Sequence, residues 1–244
     1  MSVRWYGVLI GLSVLLGLFL VIKESRKKGI DEEFFYDFII YGLPAAVIGA
    51  RLYYVLFNWP YYQDDLLMII NIRQGGLAIH GAIIAGIITL WILVKKYKVN
   101  FWEIIDIVTP AFVLGQAIGR WGNFINQEAY GKIVSTNYIN KFPDFIKKQM
   151  FIDGYYRQPT FFYESIWNLV VFTILLFLRR QKFIEQGDIF ALYLILYSSG
   201  RFFIEKMRTD SLIFEGVMVA RIISIVMILI GIIVIFIRHK KGNY

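Results

Sequence analysis

The residues best equipped for chemistry lie together. Between Gly119 and Gly131 the chain carries Arg120, Asn123, Asn126, Gln127, Glu128 and three glycines, directly after an apolar run from Ile104 to Ile118. An arginine holds a phosphate or carboxylate as a planar, two-pronged donor. Asparagine and glutamine offer donors and acceptors together, and glycine permits tight turns and close backbone approach. Each residue alone has a plainer explanation: small glycines serve helix contact, and an arginine at a helix end reaches for water. A helix that only packs has no use for the whole set, so the cluster reads as a site.

Three further groups invite chemistry. Tyr197, Arg201, Glu205 and Arg208 are spaced i, i+4, i+8 and i+11, which puts them on one face of a continuous helix. Arg201 and Glu205 can pair, and an ion pair that locks the bundle accounts for Glu205 as well as a functional role does. His80 follows the paired glycines Gly75 and Gly76, which imply a break before a helix, and precedes Gly81, which implies close helix contact. A lone histidine on an apolar helix often only packs and satisfies one hydrogen bond. Imidazole also changes charge most readily near neutral pH, which makes His80 a candidate general base. Gln158 to Glu164 reads as a helix start, with Pro159, then Thr160 as cap, then an acid in the first turn. That accounts for the segment, and orienting an arginine is a second role open to Glu164.

The elements that must position these residues are membrane helices. Of 244 residues, 58% are hydrophobic and 18% aromatic, and mean hydropathy is +0.58. A soluble domain of this length cannot hide so much apolar surface. The net charge of +8 comes from short basic clusters between apolar runs, a pattern of membrane topology and not of nucleic-acid binding. There is no cysteine, which excludes disulfides, thiolate metal sites and a cysteine nucleophile, and two histidines are too few for a multi-histidine metal centre.

Seven stretches are apolar enough to cross a bilayer: about 3–22, 36–58, 77–94, 102–120, 160–178, 188–206 and 216–237. The first lacks a basic leader and a small-residue cleavage site and reads as a retained helix. Lys23 to Lys28, Lys95 to Lys98, Arg179 to Lys182 and Arg238 to Lys241 hold basic clusters after spans one, three, five and seven. All four then face the cytoplasm, with the N-terminus outside and the C-terminus inside. The expected fold is an all-α integral membrane protein, a single domain over 1–244, with a small external cap at about 127–158. Depth along the spans puts Tyr6, Arg51, His80, Arg120, Asn123, Glu164, Arg201, Glu205 and Arg221 in the outer leaflet. Too few acids lie at that depth to neutralise Arg51, Arg120, Arg201 and Arg221, and an excess of cations there invites a lipid phosphate.

The motifs in order resemble those of bacterial prolipoprotein diacylglyceryl transferases. They are Arg4-Trp5-Tyr6-Gly7, Gly49-Ala50-Arg51-Leu52-x-Tyr54, Gly75-Gly76-x-x-x-His80-Gly81, the signature from Gly119 to Gly131, Pro159-x-x-x-Tyr163-Glu164, and Tyr197-x-x-x-Arg201-Phe202-x-x-Glu205-x-x-Arg208. Two positions depart from the pattern: Ala82 where a glycine is usual, and Arg221 where a glutamine is usual.

The resemblance implies transfer of the diacylglyceryl group of phosphatidylglycerol to the lipobox cysteine thiol of a prolipoprotein. A thioether forms and glycerol phosphate is released, at the outer leaflet of the bacterial cytoplasmic membrane. It implies His80, Arg120 and Arg201 as catalytic residues. Tyr6, Arg51, Asn123, Asn126, Glu128, Gly131, Glu164, Tyr197, Glu205 and Arg208 are implied around the substrates, with no metal, cofactor or nucleic acid. Two other classes compete. A polytopic lipid or solute transporter needs polar groups through the inner leaflet as well. A non-catalytic lipoprotein-binding protein would use the same groove without turnover. A metalloprotease is disfavoured, because no His-Glu-x-x-His sequence occurs.

Overall fold

The structure, a computed structural model, describes residues 5–72 and 75–241, without the side chains of Tyr6 and Lys241. It is built from helices: α1 (Trp5–Lys28), α2 (Glu33–Phe57), α3 (Trp59–Tyr62), α4 (Ile79–Tyr97), α5 (Phe101–Asn126), α6 (Thr136–Ile139), α7 (Asp144–Gln149), α8 (Thr160–Leu178), α9 (Asp188–Ile204) and α10 (Val219–Lys241). Two hairpins complete it, β1 (Phe151–Ile152) with β2 (Tyr155–Tyr156), and β3 (Ile213–Phe214) with β4 (Val217–Met218). Among the described residues, six helices are long and apolar enough to cross a membrane: those at Gly7–Lys28, Glu33–Phe57, Ile79–Tyr97, Phe101–Asn126, Thr160–Leu178 and Val219–Lys240. α9 has 17 residues, about 25 Å at 1.5 Å per residue. The expected first span is longer than its apolar run, because α1 continues through Arg26, Lys27 and Lys28 in its last turn.

The chain divides into two units, residues 22–101 and residues 1–21 with 102–244. In the first, α2 and α4 cross at glycine. A Cβ on Gly49 would stand 2.6 Å from both the Gly81 carbonyl and the Ala85 Cβ, so only hydrogen fits there. The far end of the pair is closed by Phe34, which meets Tyr97 edge-on, and by Asp37, which accepts from Lys96 and Tyr97 at 2.8 Å each. Gly75 and Gly76 adopt φ of +90° and +75° before α4 begins at Ile79. The expected break is therefore real, and side-chain residues would be strained at both positions.

In the second unit α5, α8 and α9 share a core of Val113, Val171, Leu175, Ile189 and Tyr193. Gly200 of α9 lies against the Trp167 indole of α8, whose Nε1 donates to the Leu196 carbonyl at 2.9 Å. The start of α9 is held from outside: Asp106 on α5 accepts from the backbone N–H groups of Gly187, at 2.6 Å, and Phe190, at 2.9 Å. These donors are left over at any helix N-terminus, and a carboxylate there suits the helix dipole. Residues 127–158 carry α6, α7 and the β1–β2 hairpin, with Ile139, Ile146 and Met150 packed on Phe124 and Phe161.

One sequence expectation fails locally. Thr160 does not cap α8. Pro159 occupies the cap position, and the Thr160 hydroxyl donates to the Ala129 carbonyl at 2.6 Å. It thereby ties the signature loop to the helix that carries Glu164.

Candidate functional site

α5, α8 and α9 bring their charged residues to one carboxylate. Glu164, 6% exposed at its side chain, sits in the first turns of α8. Its Oε2 lies 2.5 Å from Arg120 Nε near the end of α5. Its Oε1 accepts from Arg201 Nη1 of α9 at 3.0 Å and from Arg208 Nη1 at 3.4 Å. The second terminal nitrogen of Arg201 stands 2.6 Å from Glu205 Oε2, the i,i+4 pair read from spacing. Arg208 closes the set with a two-pronged contact to Asp210, Nε to Oδ1 at 3.0 Å and Nη2 to Oδ2 at 2.7 Å. The side chains of Arg120 and Arg201 remain 20% exposed, whereas those of Glu164 and Glu205 are buried. The carboxylates are thus buried, while the two arginine side chains stay partly exposed.

The face of the helix is not what carries Arg208 there. α9 ends at Ile204, Glu205 to Met207 form a 3₁₀ turn, and Arg208 is extended at φ −76°, ψ 149°. The expectation of one helical stripe through Arg208 is corrected: the chain leaves the helix before reaching Glu164. Tyr197 stacks on Tyr193, ring centroids 5.4 Å apart, and makes no hydrogen bond to the cluster among the described residues. Within the cluster Arg120, Arg201 and Arg208 face Glu164, Glu205 and Asp210, three cations against three carboxylates, while no carboxylate is paired with Arg51 or Arg221 among the described residues.

Burial alone would raise the Asp210 carboxyl, but the hydrogen bonds and charge of Arg208 outweigh it and hold it below the ordinary carboxylate value. Arg208 is held above its ordinary value: burial lowers it, while Asp210 and the charges of Glu164 and Glu205 more than compensate. A carboxyl depressed in the folded state stabilises above its unfolded pKa and loses that contribution as acid titrates through the lower, folded value. Asp210→Asn is therefore expected to cost about 0.5–1 kcal/mol at neutral pH, solvent screening included. Thermal unfolding in detergent should show that gap closing only below about pH 4.

The rest of the signature folds as a loop with its own partners. Glu128 accepts from Asn123 Nδ2 at 2.9 Å and, at the limit of a hydrogen bond, from Asn126 Nδ2 at 3.5 Å. Gln127 and Ala129 adopt positive φ, 54° and 55°. Gly131 is wedged: a Cβ there would meet Gln158 Cβ at 2.8 Å, the Met207 carbonyl at 2.9 Å and Thr160 Cγ2 at 3.0 Å. Its N–H donates to Gln158, and Lys132 N–H donates to Met207. Gly131 is thus the joint between the signature loop and the segment that delivers Arg208.

In the unit 22–101, Arg51 is buried, and all five of its donors go to backbone. Nε donates to Ile69, Nη1 to Gly75 and Gly76, and Nη2 to Met68 and Asn71, at 2.5 to 3.2 Å. Its guanidinium also lies over the Tyr62 ring, 5.1 Å from the centroid. His80 is exposed on the first turn of α4. Tyr6 has no described side chain, so its expected role lies outside the described residues.

Sequence reasoning missed several of these partners. Asp210 lies two residues past the motif that ends at Arg208. Tyr138 and Tyr163 share a short hydroxyl contact and Gln158 donates to Tyr138 at 3.2 Å, which buttresses the start of α8. The Pro159-x-x-x-Tyr163 spacing held that signal.

The profile of the prolipoprotein diacylglyceryl transferase family matches residues 1–237. The chain belongs to that family. Phosphatidylglycerol–prolipoprotein diacylglyceryl transferases of Bacillus cereus, Bacillus cytotoxicus and Bacillus anthracis are each 48% identical to it over 243 residues, covering 99% of this chain and 90% of theirs. The family is one of transferases, which sets aside the transporter as the leading alternative. The two departures from the family pattern are now placed. Ala82 is half-buried in the first turn of α4 and makes an ordinary turn bond to Ala78. Arg221 lies over the Phe202 ring, 4.2 Å from its centroid, with a buried Nε that has no hydrogen-bond partner among the described residues.

Proposed function

We propose that this protein transfers the diacylglyceryl group of phosphatidylglycerol to the lipobox cysteine of prolipoproteins; the names of its relatives give phosphatidylglycerol and prolipoprotein as their substrates. The observation that carries the reading is the convergence of Arg120, Arg201 and Arg208 on Glu164, with the side chains of Arg120 and Arg201 partly exposed. The sulfur attacks the glycerol carbon bearing the phosphate, the carbon–oxygen bond breaks, and glycerol phosphate leaves with the electron pair. Arg120 and Arg201 lower the cost of that leaving group through charge-assisted hydrogen bonds. Glu164 and Glu205 hold the two arginines in place before the lipid arrives, so no reorganisation is needed as charge develops.

A thiol with an ordinary pKa of about 8.5 must lose its proton near neutral pH. That step is assigned to His80 as general base. Asn123, Asn126 and Glu128 offer a hydrogen-bonding set suited to glycerol hydroxyls, and Gly131 shapes the loop that presents them. Seven membrane spans, with α9 as the sixth, place the N-terminus outside and the basic helix ends in the cytoplasm. The arginine cluster then faces the outer leaflet of the bacterial cytoplasmic membrane, with residues 127–158 as an external cap.

The reading is tested by product coupling. Purified protein is mixed with phosphatidylglycerol and a lipobox peptide, and glycerol phosphate is measured. Release is expected with the cysteine peptide and absent with its serine counterpart. Release that ignores the peptide would make the protein a lipid hydrolase instead.

A further inference from the structure

The contact that orients His80 in the described residues is a ring on α2, above a closely packed backbone. Among the described residues its imidazole nitrogens have no hydrogen-bond partner. Its ring instead stacks on Tyr53 of α2, centroids 5.7 Å apart and planes 28° apart. Tyr53 is stacked in turn on Phe57, at 4.6 Å and 27°. The Tyr53 hydroxyl has no hydrogen-bond partner among the described residues, so its ring is what the contact uses.

The same stretch of α2 also sets the start of α4. Gly49 admits Gly81 at van der Waals contact, and the Ala50 carbonyl accepts from Ala78 N–H at 3.0 Å. Arg51 binds the carbonyls of the loop that leads into α4. A Cβ on Gly76 would collide with the Arg51 guanidinium, so the clamp needs glycine there. A Cβ on Gly81 would stand 2.5 Å from Tyr53 Cβ, so the glycine after the histidine is what lets Tyr53 reach its ring.

We propose that residues 49–53 of α2 are the template for His80, and that Tyr53 is a positioning residue whose ring holds the imidazole in the plane from which it takes the thiol proton. The proposal rests on the proton role given to His80 above. Arg51 then acts at a distance from the substrate, by holding the loop. Tyr53 occupies the position that the second-helix motif leaves open, which is why the motif does not reveal it.

The test compares wild type, Tyr53→Phe and Tyr53→Leu in peptide lipidation, with kcat and KM separated. Tyr53→Phe keeps the ring and is expected to keep kcat within about twofold, whereas Tyr53→Leu loses roughly tenfold or more in kcat with the lipid KM little changed. Tyr53→Met makes the same comparison if the leucine variant melts early. A second readout needs no turnover: diethylpyrocarbonate labelling of His80 followed by mass spectrometry, with His239 as internal reference. Removing the ring should speed labelling of His80 alone. Wild-type kcat in Tyr53→Leu, or a phenylalanine variant as slow as the leucine one, overturns the proposal. Absence of transfer in the wild type would sink the catalytic reading instead, and the labelling arm would still report the ring contact.

Discussion

Glu164→Gln is expected to lower turnover by about two orders of magnitude, because it removes the anion that orders three arginines. The substitution keeps volume and one acceptor oxygen, but places an amide where Arg120 Nε now lies 2.5 Å from an oxygen. Arg120, Arg201 and Arg208 then repel one another with only Glu205 and Asp210 left to answer them. Breaking a buried pair from one side costs about 3–5 kcal/mol, so thermal stability should fall too. Combining Glu164→Gln with Arg120→Ala should lose much less than the sum of the two, a coupling of more than about 1 kcal/mol. Additive losses would mean that Glu164 serves only as part of the helix start.

The second large effect belongs to a residue with no side chain. Gly131→Ala forces a methyl into a gap where Gln158, the Met207 carbonyl and Thr160 all lie within 3.0 Å of its place. Two of those neighbours are backbone or Cβ atoms that cannot swing aside. Overpacking of this kind costs about 1–3 kcal/mol. The strain falls on the segment that carries Arg208, so turnover should drop by more than about tenfold even where the protein still folds. Gly119→Ala is the control for stability, since a Cβ at Gly119 meets nothing within 4 Å. Its melting temperature should match or exceed that of wild type, because alanine is the better helix former. Equal melting temperatures for both variants would remove Gly131 as a joint.

How much of this was legible depends on whether the partner is a side chain at helical spacing. Six of the seven expected spans were readable as apolar runs of bilayer length, and the Arg201–Glu205 pair because residues four apart lie one helical turn apart. Glu164 was readable only as a helix-start acid that could also orient an arginine. That three arginines meet on it was not, because Arg201 and Arg208 stand 37 and 44 residues away. Arg51 misled for a different reason. Backbone carbonyls leave no trace in a sequence, so a guanidinium that binds five of them looks like a free cation. Thr160 shows the same limit: its hydroxyl suits a cap, but the Ala129 carbonyl 31 residues away takes it. The order of motifs carried the family, while the division of labour within them needed the fold.

The most direct measurement uses purified protein, phosphatidylglycerol and a synthetic lipobox peptide, with mass spectrometry of the peptide and Arg120→Ala alongside. The account predicts addition of one diacylglyceryl group on the cysteine with wild type and its loss, by about two orders of magnitude, with the alanine variant. Equal addition by both proteins would contradict the assignment of the leaving phosphate to the arginine cluster.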